Sequence, residues 1–180
     1  MYFMMTCLDP EDGYLAMLEY DSSDDEDLLR DWMAGERFEI APPQPLRLTR
    51  AARSKSVLAE MWQVPIPLMT TRLHRALLQA GVANLEVFPA EILGPAPGEK
   101  NTDYVAFNVV GKIAALKSPR NANEILVSGA ELDETKARSA LLFRLAESVN
   151  AIVVHESVRK AIERAGIDTL TFIEPRDWTG

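Results

Sequence analysis

Hydrophobic residues recur along this chain in two rhythms. The first is shared by residues 68–88, LMTTRLHRALLQAGVANLEVF, and residues 153–173, VVHESVRKAIERAGIDTLTFI. With a shift of 85 positions, Ala76 aligns with Ala161, Ala80 with Ala165, Gly81 with Gly166 and Leu85 with Leu170. Apolar Leu73, Leu77, Val82 and Val87 align in the same way with Val158, Ile162, Ile167 and Phe172. In each copy a short apolar run leads into apolar residues at three- and four-residue spacing, which predicts an amphipathic helix. Thr70, or equally Thr71, stands at the start of the first helix and His155 at the start of the second. Gly81 and Gly166 stop the helices, since glycine takes the left-handed conformation after a helix without a side-chain penalty. LEVF and LTFI then read as strands, so each copy is a helix followed by a strand.

Between the copies the rhythm changes to every second residue. LEVFPAEI and DYVAFNVVGKIAAL flank the turn-forming GPAPGEKN. Val105, Phe107, Val109 and Ile113 share one face of the second run, which predicts an antiparallel pair with one buried side. MYFMMTCL, LRLT, EILVSG, SALLFRL and AIVV are further strand candidates, joined by polar stretches such as KSPRNAN and GAELDETKARS. Two convincing helices are too few for a doubly wound parallel sheet. The pattern predicts an α+β fold, mainly an antiparallel sheet with the two helix–strand units (68–88 and 153–173) packing on it. Length and apolar content suit a single domain over 1–180, with an acidic N-terminal segment at 9–39. Within it DSSDDEDLLRDWMAGE predicts a short helix, with Ser23 and Glu26 at capping-box spacing and Gly35 as its stop. APPQP (41–45) is a stiff connector. Trp32 and Trp62 suit packing roles, and Trp178 suits either packing or an interface.

Charge changes the picture only when divided along the chain. The net value of -8 splits into -10 for residues 1–45 and +2 for the remainder. That opposes general nucleic-acid binding, which needs a basic face against phosphates. It leaves open a docking surface for a basic protein, with Asp21, Asp24, Asp25, Glu26 and Asp27 as candidates and Trp32 as an apolar anchor, against a solvated helix start or flexible loop. Like charges so close repel one another, and a cationic partner would relieve that repulsion and be steered by it. Arg47, Arg50, Arg53 and Lys55 follow downstream. They either neutralise the acidic run within the molecule or form an anion- or small-ligand-sensing cluster. Cys7 is the only cysteine, which excludes an internal disulfide and a thiolate zinc cage. No stretch reaches the roughly 18–20 apolar residues of a membrane helix, so a cytoplasmic protein without membrane contact is expected.

Catalytic motifs are missing. There is no Walker loop, G-x-S-x-G, G-x-G-x-x-G or H-E-x-x-H. His74 and His155 are the only histidines. His155 beside Glu156 makes a small hydrolase the alternative reading, against a plain role at a helix start. The acidic run lacks the glycine and terminal glutamate of a calcium loop, so neither metal nor cofactor is expected.

The order of several features resembles a known family. They are the N-terminal MYF, W-x-x-G at Trp32 and Gly35, and PLMTTRLHRALLQAGVANLEVFP. YVAFNVV with Asn108, LLFRLAES and VVHESVRKAIERAGIDTLTFIEP follow. Together they resemble an immunity-protein family of bacterial polymorphic toxin systems, the eleventh catalogued and formerly a domain of unknown function. His155 stands where that family usually has a serine. The resemblance implies a non-enzymatic inhibitor that binds a cognate toxin in the producer's cytoplasm. It carries no catalytic residues over to this chain, and the acidic segment lies outside it.

Overall fold

The computed structural model describes residues 1–27, 30–53, 55–118 and 129–179. A six-stranded sheet has the order β3 (Leu18–Asp21), β4 (Leu46–Arg50), β8 (Leu85–Leu93), β9 (Lys100–Val109), β7 (Leu68–Thr70), β6 (Met61–Trp62). A five-stranded sheet has the order β10 (Lys112–Ile113), β11 (Leu142–Leu145), β12 (Ser148–His155), β1 (Tyr2–Cys7), β13 (Leu170–Ile173). A ribbon pairs β2 (Tyr14–Leu15) with β5 (Ser56–Val57). Two helices, α1 (Thr71–Gln79) and α2 (Glu156–Arg164), and a 3-10 turn (Pro175–Asp177) complete the described elements. Most ladders are antiparallel, and β2–β5, β4–β8 and β10–β11 are parallel. The fold is α+β, as the two rhythms predict.

Both helices begin and end as their sequences require. The Thr70 hydroxyl accepts from the Leu73 amide, and the His155 ring from the Ser157 amide. At the C-termini Val82 N–H donates to Leu77 O at 3.0 Å and Ile167 N–H to Ile162 O at 3.3 Å. These bonds close over Gly81 (φ 89°) and Gly166 (φ 72°) in the Schellman arrangement.

The sequence echo extends to the pairing register. Strands β7 and β8 are parallel but separated by β9. Strands β12 and β13 are parallel but separated by β1. Leu68 faces Ala106, which faces Phe88, and 85 positions later Val153 faces Met4, which faces Ile173. Val87 faces Phe107 as Phe172 faces Met5. An antiparallel hairpin strand precedes each unit, β6 before β7 and β11 before β12. Even single hydrogen bonds repeat. Thr70 N–H donates to Glu60 O at 3.0 Å, and His155 N–H to Leu141 O at 2.9 Å. Each unit is therefore hairpin, helix and strand, with a fourth strand slotted between. That fourth strand follows the first unit in the chain and precedes the second.

The units share a central core. Leu73, Leu77, Val158 and Ile162 from the helices pack with Phe3, Met5, Met69, Phe107 and Val154 from the sheets. Every second residue of β9 and β1 faces the other way, into two outer cores. Tyr104 and Ala106 pack with Trp32, Trp62, Leu46 and Leu48. Tyr2 and Met4 pack with Phe143, Leu145 and Trp178. At about 25 cal/mol per Å² of apolar surface, each fully buried Leu or Ile contributes roughly 1.5–3 kcal/mol before entropy is counted.

Two expectations are corrected. Residues 22–27 and 30–36 form turns rather than a helix. Asp21, Asp25 and Asp31 each accept a bond from the backbone N–H two residues on, at 3.1, 3.1 and 2.8 Å. Those local bonds compete with helical ones, and Ser23 joins such a turn instead of a capping box. The long run 103–116 is not one strand. Gly111, at φ 106°, breaks it and passes the chain from the six-stranded to the five-stranded sheet, so Ile113 leaves the face of Val105, Phe107 and Val109. The strand candidate EILVSG lies, apart from Gly129, outside the described residues.

Candidate functional site

The acidic segment begins at the end of β3, where the ladder sets Asp21 opposite Arg47 of β4. Arg47 Nη1 lies 3.8 Å from Asp24 and its Nε 3.2 Å from Glu91. The Asp24 side chain is 74% exposed, so this pair contributes only about 0–1 kcal/mol. Asp21, Asp24 and Glu26 are all exposed.

Asp25 is built into the molecule. It and Arg30 are each 3% exposed in the side chain, with Arg30 Nη2 2.7 Å from Asp25 Oδ1. Tyr20 Oη donates to Asp25 Oδ2 at 3.1 Å. The Arg30 hydrogen bond holds the Asp25 carboxyl below its ordinary range. Burial, then the bond to Asp25, push the Tyr20 phenol up. Arg30 also covers the Phe38 ring at 4.8 Å. Phe38 in turn meets Trp32 edge-on at 4.9 Å and stacks on Phe88 at 5.9 Å. Asp25 and Trp32, expected at a partner surface, are thus interior residues that fix this loop. Asp27 is partly buried 3.9 Å from Arg30.

The segment still offers an acidic concavity. A hollow of about 420 Å³ has Asp31, Glu36 and Glu39 on its rim and Ala34, Phe38 and Ile40 as its apolar part. Ile40 is 52% exposed. The two arginines that line it are committed, Arg30 to Asp25 and Arg37 to Glu86 at 3.3 Å. Of the twelve acids in residues 1–45, Asp12, Asp24, Asp25 and Asp27 form ion pairs, and the other eight form none among the described residues.

The downstream basic residues engage groups of the molecule itself. Arg50 pairs with Glu99 at 2.6 Å and Lys55 with Asp12 at 3.0 Å. Arg53 lies 4.5 Å over the Tyr14 ring. They do not converge on an anion-sized gap. His155 and Glu156 do not converge either. The His155 ring is engaged by Ser157 at 2.9 and 3.2 Å and meets Tyr2 edge-on, while Glu156 pairs with Lys160 at 2.8 Å. No group of three potential metal ligands occurs among the described residues, and no described helix is long and apolar enough to cross a membrane.

Three buried polar groups escape a reading by composition. Glu60 accepts from Thr70, Arg72 and Thr169. Burial raises its carboxyl, but these bonds outweigh burial and leave it below the ordinary value. Asn108 is fully buried and donates to Glu36 O at 2.6 Å and Glu86 at 3.0 Å. Arg144 is fully buried in β11 and donates only through Nη1, to Gln63 and Val149 O. Its Nε and Nη2 have no partner among the described residues, and burial lowers its pKa to about 10. The visible signal for Arg144 is a lone charge inside the apolar run SALLFRL.

No protein-family model and no curated protein sequence matches this chain.

Proposed function

We propose that the protein is a non-enzymatic immunity protein, binding and neutralising a cognate bacterial toxin with a basic surface in the producing cell's cytoplasm. The observation that carries this reading is the uncompensated acidity of residues 1–45. The nearby cations are spent on specific internal partners, yet eight carboxylates there lack an ion pair among the described residues, and three of them rim a hollow with an exposed isoleucine. A surface of this kind attracts a basic protein at long range and offers it apolar contact on arrival. The order of MYF, the Trp32–Gly35 pair, YVAFNVV, LLFRLAES and the two helix–strand segments supports the same reading.

The test is co-expression with the product of the adjacent gene. The expected result is rescue of growth together with co-purification of the two proteins. Neither association nor rescue would end the proposal.

A further inference from the structure

The repeated units meet at two equivalent junctions, and these are finished differently. In each, the residues between helix and strand face the residue that opens the other unit's hairpin. At the first junction Thr169 donates to Glu60 at 3.1 Å, and Arg72 and Thr70 hold the same carboxylate. The positions corresponding to Glu60, Arg72 and Thr169 are Leu141, Ser157 and Asn84. At this second junction Asn84 bonds only carbonyls, Val110 O and Leu142 O, each at 3.0 Å. The gap beside it is a hollow of about 450 Å³ walled by Val82, Val110, Ile113, Leu141 and Phe143. That size falls in the small-molecule range of roughly 300–1,000 Å³.

Ile113 also lines a neighbouring hollow whose charged members are Lys112, Lys136 and Arg138. Lys136 donates to Leu116 O at 2.5 Å. Lys112 and Arg138 have no carboxylate partner among the described residues. Arg138 and the next residue, Ser139, both have left-handed backbones, φ 49° and 61°, an uncommon conformation for non-glycine residues. The two hollows share Ile113, so Lys112 and Arg138 form a basic lip beside the apolar cleft. The acidic N-terminal quarter reaches this edge at Gly35, whose carbonyl accepts from the Gly111 amide at 2.7 Å.

We propose that this cleft binds a small amphipathic carboxylate, its acyl chain between the two units and its charge on Lys112 and Arg138. The apolar walls disfavour a polar body, which would lose its hydrogen bonds with water, and the lip favours an anionic head. This site is independent of toxin binding.

Calorimetric titration of the full chain with octanoate, octanol and acetyl-trileucine tests it. Octanoate should bind at least tenfold more tightly than octanol. Lys112→Glu with Arg138→Glu should remove that preference, and Ala83→Trp, at an exposed residue lining the cleft, should block both ligands. In the unaltered protein octanoate should also move the amide NMR signals of Gly81 and Gly111. Absent octanoate binding at millimolar concentration, full binding by Ala83→Trp, unmoved glycine signals, or a preference for acetyl-trileucine would each overturn the assignment of a free acyl carboxylate.

Discussion

The Asp25 carboxylate takes bonds from Arg30, Tyr20 and the Asp27 amide while almost wholly hidden from water. Its neighbour Asp24 is three-quarters exposed. Removing one partner of a buried pair leaves an uncompensated charge, at a cost of roughly 3–5 kcal/mol. Asp25→Ala should therefore lower unfolding free energy by about 3 kcal/mol in denaturant titration, and Asp24→Ala by less than about 0.5 kcal/mol. Glu60 sets an acid limit. Its carboxyl lies below the ordinary value when folded, so the unfolded chain takes up the proton at higher pH and acidification favours unfolding. The contribution is complete above the ordinary carboxylate pKa of 4.5 and is lost as pH falls through the folded value. Melting temperature should fall below about pH 4.5, less steeply in Glu60→Gln. Arg144 reverses the balance, because two of its three guanidinium nitrogens are buried without a partner among the described residues. Replacing buried charges with apolar side chains of similar volume is often neutral or stabilising by about 1–4 kcal/mol. Arg144→Met is expected to raise the melting temperature; a drop would mean that its bonds to Gln63 and Val149 outweigh desolvation.

Helix–strand joints are governed by a single backbone angle. Gly81 and Gly166 both sit at positive φ, where a side chain costs roughly 1–2 kcal/mol. A Cβ at Gly81 would also lie 3.3 Å from Leu141, whereas one at Gly166 would meet nothing within 4 Å. Both glycine-to-valine variants should destabilise the protein, and Gly81→Val more, by calorimetry. These joints were legible in the sequence because caps, stops and apolar spacing are local. The β8–β9 pair was legible because alternation and a turn sit side by side. The slotting of β1 between β12 and β13 was not, since its partners lie some 150 residues away and no local pattern names them. The acidic run misled for a related reason. Its composition suits a helix start, but three aspartates bond their own backbone and Arg30 draws Asp25 inward. At the site, composition located the acidic excess, while only the fold separates Asp25 and Trp32 from Glu36, Glu39 and Ile40 at the surface.

For the molecule as a whole, most of the charge and the core are divided. The two units and their slotted strands hold the central core, and Trp32 and Phe38 of the acidic segment pack on the outer face of the six-stranded sheet. A charge reversal confined to the rim should therefore change encounter with a partner and leave folding alone. Glu36→Lys with Glu39→Lys should slow association with the adjacent gene product about tenfold at low salt, with a smaller effect at high salt and an unchanged melting temperature. Equal rates at low salt would place the interface elsewhere.

The slotted strands carry a last consequence. Strand β9 follows β8 through the 94–99 turn, and β1 stands in the same relation to β13, with Met4 opposite Ile173. Traced as a loop, the fold runs through one unit and then through the other. A circular permutant opened in the 94–99 turn, with a short linker carrying the C-terminal segment back to Met1, should fold to the same sheet order.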